Sequence, residues 1–215
     1  MTGSLAQPAA KAAKKRFLRF GGRETGVALA LLVMCIALTL LNDRFLTTNN
    51  LLNIGRQVSL LGIMAVGMTF VLASGEVDLS VGSIYAFCGL VTGMVIVAGY
   101  GLFAALVLGI LAGIVIGIIN GLLSTYGRLP SLIATLGMLS MVRGAALILT
   151  DGRPVTVNAK NGAAPDVLAQ FTFLGQGSVG GIPMQLVFFA LIALAGWLIL
   201  LLGAAVGAFA GNFVR

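Results

Sequence analysis

Gly75-Glu76-Val77-Asp78-Leu79-Ser80-Val81-Gly82-Ser83 interrupts an otherwise apolar stretch with two carboxylates and two hydroxyls. A carboxylate at bilayer depth costs a few kcal/mol or more, so it faces protein or a watery path rather than lipid. Gly75 and Gly82 let the backbone turn or approach a neighbour closely. Glycine-punctuated, broken helices are one way that transporters expose polar backbone beside a passage. The plainer reading is a short polar loop in which Asp78 or Ser80 caps the following helix.

The surroundings make this a membrane question. The chain is 59% hydrophobic and 9% charged, with mean hydropathy +1.09. Soluble domains are about one quarter charged, so the composition is that of an integral membrane protein. Its 30 glycines suit closely packed membrane helices. Enzyme chemistry finds no support: histidine is absent and the six acids are scattered. Cys35 and Cys88 lie in apolar runs, where thiols act as small hydrophobes rather than as a disulfide or metal pair. No metal site is expected.

The net charge of +7 does not point to nucleic acid. Lys11, Lys14, Lys15, Arg16, Arg19 and Arg23 all precede the first apolar run. Such a cluster places residues 1–24 in the cytoplasm as a basic tail, where they also meet anionic lipid. The run 25–41 is followed by Asn42-Asp43-Arg44-Phe45 and not by a small-residue cleavage site. It reads as a retained span rather than a secretory signal.

Further along, 42–57 reads as a loop with Asn49, Asn50 and Asn53 as turn or capping residues, and 58–74 as a second span. Leu79 to Gly127 contains no charged residue. At 1.5 Å per residue it is roughly twice as long as one bilayer crossing, so it folds back. Gly99-Tyr100-Gly101 is the natural turn, which gives spans at 79–98 and 102–123. Pro130 suits the first turn of a fifth span, 130–149. Pro154, Asn161, Gly162, Pro165 and the glycines from Gly175 to Gly181 argue against a continuous helix over 151–183, and the polar stretch extends to Gln185. A sixth span covers 184–202. The expected fold is all-α and polytopic, with about six transmembrane helices, a membrane domain over 25–204 and 151–183 as a periplasmic loop.

Gly109, Gly113, Gly117 and Gly121 recur every fourth residue and predict a groove for a neighbouring helix. Asn120 beside them is expected to hydrogen-bond across that interface or to line a path. Arg143 is the one cation inside a span. It lies about 9 Å along the helix from Leu149, close enough for its side chain to snorkel outward. Pairing with Glu76 or Asp78 requires the 76–83 segment to be re-entrant. Glu76, Asp78, Ser80, Ser83, Asn120 and Arg143 are therefore the candidates for a substrate path or structural gate.

Two ordered blocks carry a resemblance. Ile63-Met64-Ala65-Val66-Gly67-Met68-Thr69-Phe70-Val71 leads into Ser74 to Ser83, and Leu129-Pro130-Ser131-Leu132-Ile133-Ala134-Thr135-Leu136-Gly137-Met138-Leu139-Ser140 leads into Arg143-Gly144 and Gly152-Arg153-Pro154. From about Phe45 to about Leu200 the chain resembles permease subunits of bacterial ATP-binding-cassette sugar importers of the ribose and xylose type. Asp78 to Ser83 match the family signature, whereas Glu76 stands where a small or apolar residue is usual. The resemblance implies a multi-pass protein of the bacterial inner membrane that dimerises with a second permease copy. It also implies a cytoplasmic ATP-binding-cassette ATPase that uses the ATP, and a periplasmic sugar-binding protein that delivers a monosaccharide or related polyol. The permease itself is expected to bind no cofactor and to catalyse no reaction.

Family members are around half as long again. The apolar residues 205–215 stand where a basic, ATPase-contacting segment is usual, so the chain is expected to be truncated at its C-terminus. Two alternatives accompany the importer reading. One is an ion- or proton-coupled secondary transporter or channel using Glu76 and Asp78. The other is an inactive truncated permease fragment.

Overall fold

The computed structural model describes residues 23–213, with side chains between 25 and 204. The basic cluster of the N-terminal tail and the side chains of 205–215 lie outside the described residues. Seven α-helices follow in order: α1 Arg23–Leu41, α2 Thr48–Ala73, α3 Val81–Val97, α4 Leu102–Thr125, α5 Ser131–Thr150, α6 Pro165–Gln176 and α7 Met184–Phe213. A two-residue hairpin, Ser178–Val179 with Ile182–Pro183, joins α6 to α7. The chain divides into residues 1–51 and 52–215.

In the first unit, α1 is apolar, and its large side chains are exposed from Val27 to Leu41. That is the pattern of a helix surrounded by lipid rather than by a core. After it, Arg44 N–H donates to Asn42 Oδ1 at 2.9 Å and Asn50 Nδ2 donates to the Phe45 carbonyl at 2.7 Å.

α2 begins ten residues before the expected span at 58. The asparagines do not unwind the chain there. Thr47 Oγ1 accepts the Asn50 N–H at 3.4 Å, as an N-cap does. Asn53 Oδ1 accepts Arg56 Nη1 at 2.6 Å, one turn along the same helix face. Local side-chain bonds thus carry the helix through a polar stretch that hydropathy alone assigns to a loop.

In the second unit α3 and α4 are antiparallel partners. Ile116 of α4 packs on Met138 and Val142 of α5, with Ile84, Phe87 and Leu123 around them. At the other end Ile96 and Ala105 pack on Ala163 and Val167, so α6 lies across the end of α3 and the start of α4. This short helix lies within 151–183, the stretch expected to be a loop without a continuous helix. Pro165 is its first residue, where the missing N–H is harmless. Pro130 sits one position earlier than expected, as the N-cap residue of α5 rather than in its first turn.

α2 and α7 run parallel. A Cβ on Gly55 would meet Leu186 at 3.2 Å, one on Gly62 the Phe189 ring at 2.5 Å, and one on Gly196 would meet Val66 at 2.7 Å. Contacts that advance along both helices in the same direction require an odd number of crossings between them. α3, α4 and α5 supply three, and α6 does not cross. Four helices of the unit are long and apolar enough to span a membrane: α2, α4, α5 and α7. α3, like α1, is apolar but shorter, and the parity argument makes it cross as well.

Candidate functional site

The segment between α2 and α3 is neither a free loop nor a conventional cap. Gly75 takes φ +84, which turns the chain out of α2. Residues 77–80 then run extended or bent beside the first turn of α5 and the last third of α4. Val77 N–H donates to Ser131 Oγ at 3.3 Å and Leu79 N–H to Thr135 Oγ1 at 3.2 Å. The Thr135 hydroxyl donates to the Ser131 carbonyl at 2.7 Å, with the Val77 carbonyl at 3.4 Å. Two hydroxyl side chains of α5 therefore serve backbone groups that no strand or helix satisfies.

Ser80 occupies the N-cap position of α3, yet its side chain makes no capping bond. Asp78 does not cap the helix either. Its Oδ1 accepts the Ser80 N–H at 2.7 Å and the Ser80 hydroxyl at 2.6 Å, a turn closed by the carboxylate two residues earlier. Ser80 Oγ in turn accepts Asn120 Nδ2 of α4 at 2.9 Å. Ser80, Asn120 and Thr135 are 0%, 7% and 3% exposed. Asn120 lies five residues, about 7–8 Å, before the end of α4. The polar tie thus sits inside the bundle and not beyond its ends. Asn120 Oδ1 is buried without a donor.

The other sequence candidates are placed differently. Glu76 is exposed, and Ser83 lies half-buried one turn into α3. Arg143 is exposed on α5, eight residues and about 12 Å beyond Thr135. That separation keeps it away from Asp78. The glycine series divides in two. A Cβ on Gly109 would strike Thr92 Oγ1 and come within 3.1 Å of the Cys88 carbonyl, and one on Gly113 would lie 2.9 Å from Cys88 Sγ. Gly117 and Gly121 have nothing within 4 Å. The four-residue spacing drifts around the helix, so only the first two meet α3. At the opposite end, a cavity of about 480 Å³ opens between Gly89 and Gly93 of α3, Val155–Val157 and Phe171.

Sequence reading missed Ser131 and Thr135 as partners of the 75–83 segment, because pairings fifty-odd residues apart carry no local signal. It also missed Arg56, which it placed in a loop, and Gln185, which it placed at the start of the sixth span. Arg56 Nε and Gln185 Oε1 are both buried without partners. The isolation of Arg56 was the available signal: it is the only charged residue between Arg44 and Glu76.

Apolar crossing helices around a buried polar tie, with a short helix over one end, make up a multi-pass membrane protein. The chain belongs to the family described as branched-chain amino acid transport system / permease component, whose model matches residues 50–212. It is 38% identical over 189 residues to the ribose import permease protein RbsC of Bacillus subtilis, covering 87% of this chain and 56% of that protein. RbsC of Escherichia coli K12 is 35% identical over 187 residues, covering 86% and 57%. The L-arabinose ABC transporter permease protein AraH of Azospirillum brasilense is 40% identical over 158 residues, covering 74% and 44%. The chain spans about half the length of the curated relatives it matches. No solved structure matches it. Like these permeases it is a multi-pass protein of the bacterial inner membrane.

Proposed function

We propose that the chain contributes the translocation path of an ATP-driven importer for a monosaccharide or related polyol. The observation that carries this reading is the meeting of its two signature blocks. Val77 and Leu79 of the first are bound by Ser131 and Thr135 of the second, with Asn120 closing the third side. A network of hydroxyls and one amide, anchored by the Asp78 carboxylate, suits a structural gate for a hydroxyl-rich solute. The named substrates of the ribose and L-arabinose permeases support that class.

In this reading the basic tail faces the cytoplasm, and so does the end of the bundle that holds 77–80. A cytoplasmic ATP-binding-cassette ATPase hydrolyses the ATP there, and the permease binds none. The 151–183 region and the 480 Å³ cavity face the periplasm, where a sugar-binding protein delivers substrate. A second permease copy completes the path. Glu76, Ser83 and Arg143 are assigned to its lining, and Gly109 and Gly113 to helix packing.

Reconstitution with a cytoplasmic ATP-binding-cassette ATPase and a sugar-binding protein of a ribose-type importer tests the proposal. Co-purification of the chain with the ATPase, and binding of labelled D-ribose or L-arabinose by the assembled complex, is the expected result. Failure of the chain to co-purify with that ATPase, or uptake driven by an ion gradient without ATP, would overturn it.

A further inference from the structure

The start of the α2–α7 seam holds a polar pair that the gate does not use. Gly55 packs against Leu186, so Arg56 follows the contact on α2 and Gln185 precedes it on α7. In two parallel helices, a residue one step after the contact on one and one step before it on the other point to the same side of the seam, since each step turns about 100°. Their Cα atoms differ in height by only about 3 Å. Arg56 and Gln185 therefore flank one edge of the seam at one level.

Each side chain is half used. Arg56 Nη1 donates to Asn53 Oδ1 at 2.6 Å, while Nε–H is buried and unpaired. Gln185 Nε2 donates to the Gly175 carbonyl, and Oε1 is an acceptor that is also buried and unpaired. A buried polar atom left unsatisfied is costly, and proteins seldom keep one without a reason. Together the two atoms offer one donor and one acceptor. An anion satisfies the donor but opposes Oε1, and a cation does the reverse. A hydroxyl accepts and donates at once.

We propose that Arg56 and Gln185 form a hydroxyl-binding position at the α2–α7 seam, which takes one hydroxyl of a neutral sugar or polyol. This rests on the importer reading for its direction of use, since both residues lie at the end of the seam assigned to the periplasm. Water offers the same chemistry, and so does direct pairing of Nε–H with Oε1. Both are outcomes of the test.

The test is saturation-transfer NMR on the full chain in lipid nanodiscs, titrated with D-ribose, xylitol and the anion gluconate. Wild type is expected to bind ribose and xylitol in the millimolar range and gluconate more weakly. Arg56→Lys keeps the charge but loses Nε–H, and Gln185→Leu loses the acceptor. Each is expected to weaken ribose binding about tenfold, the equivalent of one hydrogen bond. Gln185→Glu provides a carboxylate that takes Nε–H for itself, and is expected to abolish binding. Should the leucine variant fail to fold, the lysine variant carries the comparison alone. Unchanged ribose titrations in Arg56→Lys and Gln185→Glu would overturn the site, as would wild type that binds neither ribose nor xylitol and so holds only water or a direct pair. Because this readout needs no ATPase, loss of the site and loss of ATP-driven transport are separable.

Discussion

Asn120 and Ser80, forty residues apart in sequence, share a 2.9 Å hydrogen bond in which the amide Nδ2 donates to the serine Oγ. The Ser80 hydroxyl itself donates to Asp78 Oδ1 at 2.6 Å. The start of α3 is thereby fastened to α4 through a single serine, while Thr135 fastens the preceding backbone to α5.

Asn120→Leu removes the donor to Ser80 while roughly keeping the side-chain volume. Interhelical hydrogen bonds in membranes average about 0.6 kcal/mol and reach about 1.7 kcal/mol. The buried position of this one puts the expected loss at the upper end. Unfolding followed by the fluorescence of Trp197, the only tryptophan, measures it. An unchanged midpoint would mean that the tie does not hold α3 to α4.

Asp78 and Glu76 are expected to differ. Asp78→Ala strips the acceptor from both Ser80 groups and is expected to cost about 1–2 kcal/mol. Asp78→Asn keeps a carbonyl oxygen in the same place and should recover most of that. Glu76 is exposed, so Glu76→Gln is expected to stay within about 0.5 kcal/mol of wild type. Equal effects of Asp78→Ala and Glu76→Gln would contradict this arrangement.

The glycine series supplies a comparison within one helix. Gly109→Ala places a methyl against Thr92 and the Cys88 carbonyl, an overpacking expected to cost about 1–3 kcal/mol. Gly117→Ala meets nothing within 4 Å and is expected to stabilise α4 by up to about 1 kcal/mol through backbone entropy alone. Parallel unfolding curves of the two variants decide the matter, and similar losses in both would show that α3 follows the whole stripe.

Topology is checked at Lys160, which is exposed and, unlike Asn161, makes no side-chain hydrogen bond that a substitution would remove. With Cys35 and Cys88 replaced by alanine, Lys160→Cys is expected to react with a membrane-impermeant maleimide in intact cells. Reaction only after permeabilisation would invert the orientation argued for the bundle.

Hydropathy and charge were enough to establish an all-α membrane protein and to place most helices: 25–41, 79–98, 102–123 and 130–149 fall within two or three residues of α1, α3, α4 and α5. The physical reason is that lipid cannot hydrogen-bond the backbone, so a long apolar run has little choice but helix. The same reasoning fails where polar residues are satisfied locally or at long range. Asn50 and Asn53 extend α2 into a supposed loop through bonds to Phe45 and Arg56. α6 forms within 151–183 because Val167 and Ala163 find a surface on Ile96 and Ala105, which composition does not reveal.

Asp78 and Asn120 were legible as polar residues in an apolar chain, but their partners were not. Whether Asp78 caps a helix or braces Ser80 depends on where α4 and α5 bring Asn120, Ser131 and Thr135. Likewise four evenly spaced glycines announce close packing, and the crossing of α3 and α4 selects Gly109 and Gly113. Periodicity along one helix specifies which residues share a face. Only the packing of several helices specifies what that face meets.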